Sequence, residues 1–328
     1  MASILNEAYF HDEEAAFVAL EAIMWPAGKP PHCPHCGVVE RCNKLGVQHT
    51  KPSKKNPDGK PVFGLWKCYA CRKQFTVRKG TLFEESHLPL HQWFRAAFLL
   101  CSSKKGCSSN QLARTLGCTV KTAWFLSHRL REAMRNGDLS PLGGPGEVVE
   151  ADETYFGDMP RTKRRPLKTT GRPFSQRRHG TGNKRSVVAL VERGGNVRSF
   201  HPEQADGETV AKIVSENIHR ESRLHTDESH LYSKIGAEFA AHETVKHSDE
   251  EYVRDDVTTN TVEGYFSIFK RGMRGIYQHC AEKHLHRYLA EFDFRYNHRV
   301  ARGVNDHERT VAALSGARGK RLTYLDSQ

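Results

Sequence analysis

Four cysteines in two CxxC pairs, CPHC at 33–36 and CYAC at 68–71, constrain this chain more than any other feature. A CxxC turn brings two sulfurs onto one ion, and Zn²⁺ takes four such ligands tetrahedrally. Cys33, Cys36, Cys68 and Cys71 are therefore expected to form a structural zinc ribbon within 29–80. The polar interval KPSKKNPDGKP reads as a hairpin excursion that lengthens it. Unligated surface thiols would not explain the strand-like frame FGLWKCYACRKQFTV around the second pair. Nine cysteines, an odd number, suit metal binding in a reducing compartment better than a disulfide framework. Cys42, Cys101, Cys107, Cys118 and Cys280 read as small hydrophobes.

Around this module the chain divides by pattern. Residues 1–28 predict one helix, with Ala16, Leu20 and Ile23 at helical spacing before Pro26-Ala27-Gly28. Residues 87–136 predict further helices, and the breaker-rich linker 137–147 separates them from a mixed strand and helix region over 148–328. There EVVEADETYFG and KRSVVALVERGGNVRSFHP read as strands, the latter a hairpin across Gly194-Gly195. A helix over 205–219, a strand at RLHTDES and helices beyond Thr259 complete an α/β domain. The chain thus reads as a multidomain α+β protein. Its N-terminal stretch lacks the basic flank of a signal peptide, and its apolar runs are too short to span a membrane. A cytoplasmic protein is expected, with no membrane partner.

SSNQLARTLGCTVKTAWFLSHRLREAM (108–134) has the marks of a helix-turn-helix. Ser108 or Ser109 caps the first helix, Gly117 makes the turn, and Thr119 caps a second helix presenting Lys121, Thr122, His128 and Arg129. A plain helical hairpin is the alternative. The net charge of +12 suits a phosphate-rich partner such as DNA. RTKRRPLKTTGRPFSQRRHGTGNKR (161–185) carries no acid, so Arg164, Arg165, Arg177 and Arg178 are candidate phosphate contacts, unless the run is merely a solvated loop.

Within this basic chain three carboxylates stand out. Asp152 lies on a strand where alternation puts Val149 and Ala151 on the opposite face. Asp227 ends a later strand. Glu263 sits on a helix capped around Thr259 or Asn260, whose apolar stripe is Val262, Phe266 and Phe269. Lys270, two turns on, shares the face of Glu263 to within about 20°. Taken singly, each acid is an ordinary solvated residue. Converging at a sheet edge, the three could hold two Mg²⁺ or Mn²⁺ ions for an in-line phosphoryl displacement.

These blocks resemble the transposases of bacterial insertion sequences that carry a DDE acidic triad, in particular the zinc-ribbon group called the fifteen-ninety-five family, with its ISXO2-like domain. The resemblance rests on WP…CPHCG from Trp25 to Gly37, the second CxxC pair, VEADETYFG, LHTDES, NTVEGYFSIFKRGMRGIY and KHLHRYLAEFDFRYNHR. It implies a ribonuclease H-like catalytic domain with Asp152 and Asp227 as metal-binding aspartates and Glu263 as the third acid. It also implies that Lys270 touches the element's end DNA; the role of Asn260 stays open. The expected activity is binding of terminal inverted repeats, strand cleavage and strand transfer, with at least a dimer pairing two ends near the bacterial nucleoid. Two other readings use the same residues: a ribonuclease H-like metal-dependent nuclease, and a DNA-binding regulator derived from a transposase. In the C-terminal block, Leu285, Tyr288 and Phe292 are spaced for a core helix, with His286, Arg287, Arg295, Asn297 and Arg299 toward solvent or DNA.

Overall fold

The computed structural model describes residues 4–54, 57–135, 140–158, 184–233, 235–246 and 253–324. It divides into two compact units: Met1–Asn136 with His298–Gln328, and Gly137–Asn297.

In the first unit, the Asp12 side chain accepts the Ala15 amide at 2.7 Å and starts helix α1 (Glu13–Met24), later than the expected 1–28. Five short strands follow: β1 (Cys42–Lys44), β2 (Gln48–His49), β3 (Pro61–Val62), β4 (Trp66–Cys68) and β5 (Gln74–Phe75). β1, β4 and β5 form one antiparallel sheet, and β2 pairs β3 where the polar excursion was expected. Helices α2 (Leu90–Ser102), α3 (Ser109–Leu116) and α4 (Val120–Met134) come next. The caps are those read from sequence. Ser108 accepts from Gln111, Gly117 turns the chain at φ 65°, and Thr119 accepts from Thr122.

The second unit is built on a five-stranded sheet. β6 (Val148–Asp158), β7 (Lys184–Glu192) and β8 (Val197–Phe200) run antiparallel in sequence. Helix α5 (Gly207–Asn217) then leads to β9 (Arg223–Asp227), which pairs parallel with β6, and β10 (Ala241–Val245) pairs parallel with β9 at the edge. The resulting order is β10-β9-β6-β7-β8. A small hairpin of β11 (Val253–Arg254) and β12 (Val257–Thr258) precedes α6 (Asn260–Gly272) and α7 (Leu285–Asn297). β10 and this hairpin were not foreseen: AHETV is too polar to read as a strand, since it is covered on one edge only by β9.

Alternation along β7 explains why the sheet has two covered faces. Val187, Ala189 and Val191 pack with α6 and α7, while Val188 and Leu190 pack with α5. The same alternation in β6 sends Val149 and Ala151 to the α5 face, leaving Glu150 and Asp152 on the face of α6.

Helix α8 (Asp306–Ser315) returns to the first unit. Arg309 Nη1 donates to the Cys101 carbonyl at 2.9 Å. Lys320 Nζ donates to the carbonyls of Glu132, Ala133 and Arg135 at 2.9, 3.1 and 2.7 Å, closing the end of α4. The domain expected over 148–328 therefore stops at Asn297, because the chain beyond it buries its apolar face on α2 and α4.

Candidate active site

Asp152 and Asp227 meet because of strand register. Glu150 pairs with His225 in the parallel β6–β9 ladder, and each acid lies two residues further along its strand. One carboxylate oxygen from each of Asp152, Glu153 and Asp227 lies within 4.8 Å of the others. Asp152 accepts the Glu153 amide at 2.7 Å, and Asp227 accepts the Ser229 amide at 3.0 Å. Burial, then the charges on Glu153, Asp227 and Glu263, push the Asp152 carboxyl up to about 8. Burial and Asp227 also raise Glu153. Crowding of half-buried acids is unfavourable in itself, and a divalent cation held by hard oxygens relieves it.

Glu153 was not among the candidate acids. By alternation it faces α5, opposite Asp152, and there Tyr232 donates to it at 3.0 Å and Ser229 at 3.3 Å. Yet the β6–β9 ladder stops at Glu150 and His225, so Glu153, which pairs with Val188 of β7, has no strand on its other side, and its carboxylate reaches the same edge as Asp152 and Asp227. A second acid beside Asp152 just past the neighbouring strand's end was the available signal.

Glu263 stands in the first turn of α6 and is exposed. It lies outside the tight group of three oxygens but close enough for its charge to raise Asp152. Lys270 is on the same helix; burial lowers it, and the Asp152 charge opposes that shift. The stripe Val262, Phe266 and Phe269 is buried against the sheet with Tyr265, as the spacing predicted. Thr259 holds the cap position of α6 as expected, but its side chain accepts no bond there: Thr258 Oγ1 takes the Asn260 amide at 3.1 Å, and the carboxylate of Glu150 takes those of Thr261 and Val262.

At the other candidate sites the outcome varies. Cys33, Cys36, Cys68 and Cys71 each offer a sulfur within 4.8 Å of the rest, with Cys33–Cys71 at 3.7 Å and Cys36–Cys68 at 3.8 Å. Four sulfurs at about 2.3 Å from one Zn²⁺ have tetrahedral edges of about 3.8 Å, so the set fits that ion. Backbone amides of Cys71 and Ala70 lower Cys68 to about 6, favouring thiolate. Cys42 is opposite Cys68 on β1 and packs against the group, but burial and the Cys68 charge push its thiol up. Lys121 is exposed at the start of α4, with Nζ 4.5 Å from the Tyr324 ring. Arg129 is not on the surface. It is 7% exposed, lies over Phe125 and Trp93, and donates to the Glu84 carbonyl at 2.7 Å. His128 is fully buried as well. The second half of α4 turns inward as a core helix, which leaves only its first turn open. Arg287 and Arg295 are likewise buried, and Asn297 pins the β8 backbone at Val197. Arg164, Arg165, Arg177 and Arg178 lie outside the described residues.

Known proteins match both units. Residues 141–297 match the ISXO2-like transposase domain, and residues 11–74 match the transposase zinc-ribbon domain. The uncharacterized protein in transposable element ISH50 of Halobacterium salinarum is 28% identical over 293 residues, covering 87% of this chain and 91% of that protein. Two solved structures overlap weakly. The Mos1 strand transfer complex is 11% identical, covers 68% of this chain and 74% of that chain, and gives a TM-score of 0.26. A pre-cleavage Mos1 transpososome is 12% identical, covers 64% and 75%, and gives 0.24. Overlap at that level decides nothing about this fold. No helix among the described residues is long and apolar enough to cross a membrane.

Proposed function

The chain belongs to the ISXO2-like transposases with a transposase zinc ribbon, and from that premise we propose that it cuts and joins DNA at the ends of its element. Asp152, Asp227 and Glu263 would hold two Mg²⁺ or Mn²⁺ ions, with Glu153 beside them. The observation that carries this is the gathering of the Asp152, Glu153 and Asp227 oxygens within 4.8 Å at one sheet edge, beside the helix of Glu263 and Lys270. The strand order β10-β9-β6-β7-β8 supports a ribonuclease H-like reading of this unit.

Divalent ions bound there supply neutralisation of the scissile phosphate and stabilisation of charge on the attacking and leaving oxygens. The protein's own groups do the rest. Asp152 and Asp227, fixed by strand register, set the position of that charge. Lys270 sits two turns along α6 to hold a DNA phosphate on the same face. Water would cut the element's end and leave a 3′-hydroxyl. That hydroxyl then attacks a target phosphodiester, whose former 3′ oxygen leaves, with no covalent link to the protein.

The zinc ribbon and the pair α3–α4, read as a helix-turn-helix, would bind the terminal inverted repeats. Of α4, the first turn with Lys121 and Thr122 is the part available to bases. Pairing two ends calls for at least a dimer.

The test incubates the full chain with Mg²⁺, labelled element ends and a plasmid target. Joined products that disappear with Asp152→Ala are expected. Cutting without joining would indicate a nuclease, binding without cutting a regulator, and either would sink the proposal.

A further inference from the structure

Glu150 is wholly buried in β6 and two residues from Asp152, on the same face. Its Oε2 accepts the backbone amides of Thr261 and Val262 at 2.8 and 3.0 Å. Its Oε1 accepts Thr261 Oγ1 at 2.8 Å, and Arg193 Nη2 and Nε at 2.9 and 3.2 Å. A helix start leaves backbone amides without partners, and a residue at the cap normally takes them. In α6 the residue at the cap, Thr259, does not, and Thr258 Oγ1 takes only the Asn260 amide, at 3.1 Å. The amides of Thr261 and Val262 instead close on a carboxylate more than a hundred positions earlier in the chain.

From this we propose that Glu150 is a positioning residue: it fixes helix α6, and with it Glu263, at a set distance from the strand of Asp152. The inference rests on the reading of Asp152, Asp227 and Glu263 as the acids that hold divalent ions. Val262, whose amide Glu150 holds, is the neighbour of Glu263. One side chain therefore links the strand of the first acid to the turn of the third. Arg193 extends the link. It also donates to the carbonyls of Asp256 at 2.9 Å and Thr258 at 3.4 Å, on the approach to α6, and meets His225 Nδ1 at 3.3 Å on the strand of Asp227. All three acid-bearing elements thus converge on the Glu150–Arg193 pair.

Only a carboxylate suits the spot. Five donated hydrogen bonds arrive at its two oxygens, and an amide would turn a donor toward donors. A buried ion pair of this kind contributes geometric definition more than net stability. The neighbouring groups are also those that a passive core position would not need. An apolar residue in β6 packed under α6 would bury the helix equally well, but would not fix its end.

The test is a double-mutant cycle on the zinc-loaded full chain, read by Mn²⁺ affinity in titration calorimetry and by cleavage of labelled element ends. Glu150→Gln is expected to weaken Mn²⁺ binding and to slow cleavage by about 10²-fold, as misplacement of a catalytic group by about 1 Å does. In the Glu263→Gln background it should weaken Mn²⁺ binding no further, because the group it positions is gone. Losses that multiply in the double variant, or unchanged Mn²⁺ affinity in Glu150→Gln, would overturn the proposal and leave Glu150 a structural residue. If Glu263→Gln itself binds Mn²⁺ and cleaves as the wild type does, it is the reading of the acids that fails. Thr261→Ala removes one bond to Glu150 and leaves no buried charge unpaired. It should show the same non-additive pattern at a smaller size, and it decides the matter if Glu150→Gln does not fold.

Discussion

Asp152 and Glu153 are adjacent on one strand and point to opposite sheet faces, yet their carboxylate oxygens lie within 4.8 Å of each other and of Asp227. Three acids crowded at the end of a short parallel ladder make this edge an unfavourable place for an unscreened charge. Function and stability therefore oppose each other there.

Asp152→Asn is expected to stabilise the protein while abolishing strand joining. A carboxyl raised to about 8 in the folded state holds its proton more tightly there than in the unfolded chain, where it titrates near 3.8. Its charge therefore costs the fold nothing at low pH, and stability falls as the pH rises from that value through about 8. Without added Mg²⁺, the variant's Tm should match the wild type near pH 4 and exceed it increasingly as the pH rises to 8. Thermal unfolding of the zinc-loaded chain across that range measures the difference; a gap that shrinks with rising pH would contradict it.

One zinc per chain should be found by native mass spectrometry. Cys68→Ser should lose it together with the cooperative unfolding of the ribbon, since ligand-bound folding energy goes with the metal. Cys42→Ser should keep full zinc content, because Cys33, Cys36, Cys68 and Cys71 already supply four sulfurs for a tetrahedral site.

Lys121 and Arg129, both basic and on one helix, should separate cleanly. Arg129→Ala removes a bond to the Glu84 carbonyl and two ring contacts, and should lower stability by about 2 kcal/mol. Lys121→Ala should leave the Tm unchanged and reduce the salt slope of DNA binding by about one. Denaturant melts and binding titrations at several salt concentrations give the two readouts.

Lys320→Met should destabilise the first unit by about 1 kcal/mol, because three carbonyls at the end of α4 lose a charged donor. Cleavage chemistry should be unaffected once the protein is folded. Urea unfolding followed by tryptophan fluorescence reads the loss, and an unchanged midpoint would refute it.

Much of this was open to reading along the chain. The CxxC pairs named their own ion, and the caps at Ser108, Gly117 and Thr119 placed α3 and α4, because these signals act over a few residues. Strand alternation put Asp152 opposite Val149 and Ala151, and the stripe on α6 was spaced for burial. The errors are of one kind. Arg129 and Arg295 are long basic side chains that read as surface, but Trp93 and the Glu84 carbonyl from distant segments cover Arg129, while Arg295 is buried in an ion pair with Glu291 and over Phe292 on its own helix.

The sequence by itself singled out the four cysteines of the ribbon, Asp152 and Asp227 as candidate acids, and the helix and strand periods, since each is encoded within one turn or one strand. Only the tertiary structure decided that Glu153 joins Asp152 and Asp227, that Glu150 caps the helix of Glu263, and that the last helix serves the first unit. Those relations depend on where one strand stops beside another and on which face a distant segment covers. No local pattern carries that information, because hydrogen bonds and burial across such separations are fixed only when the chain closes on itself.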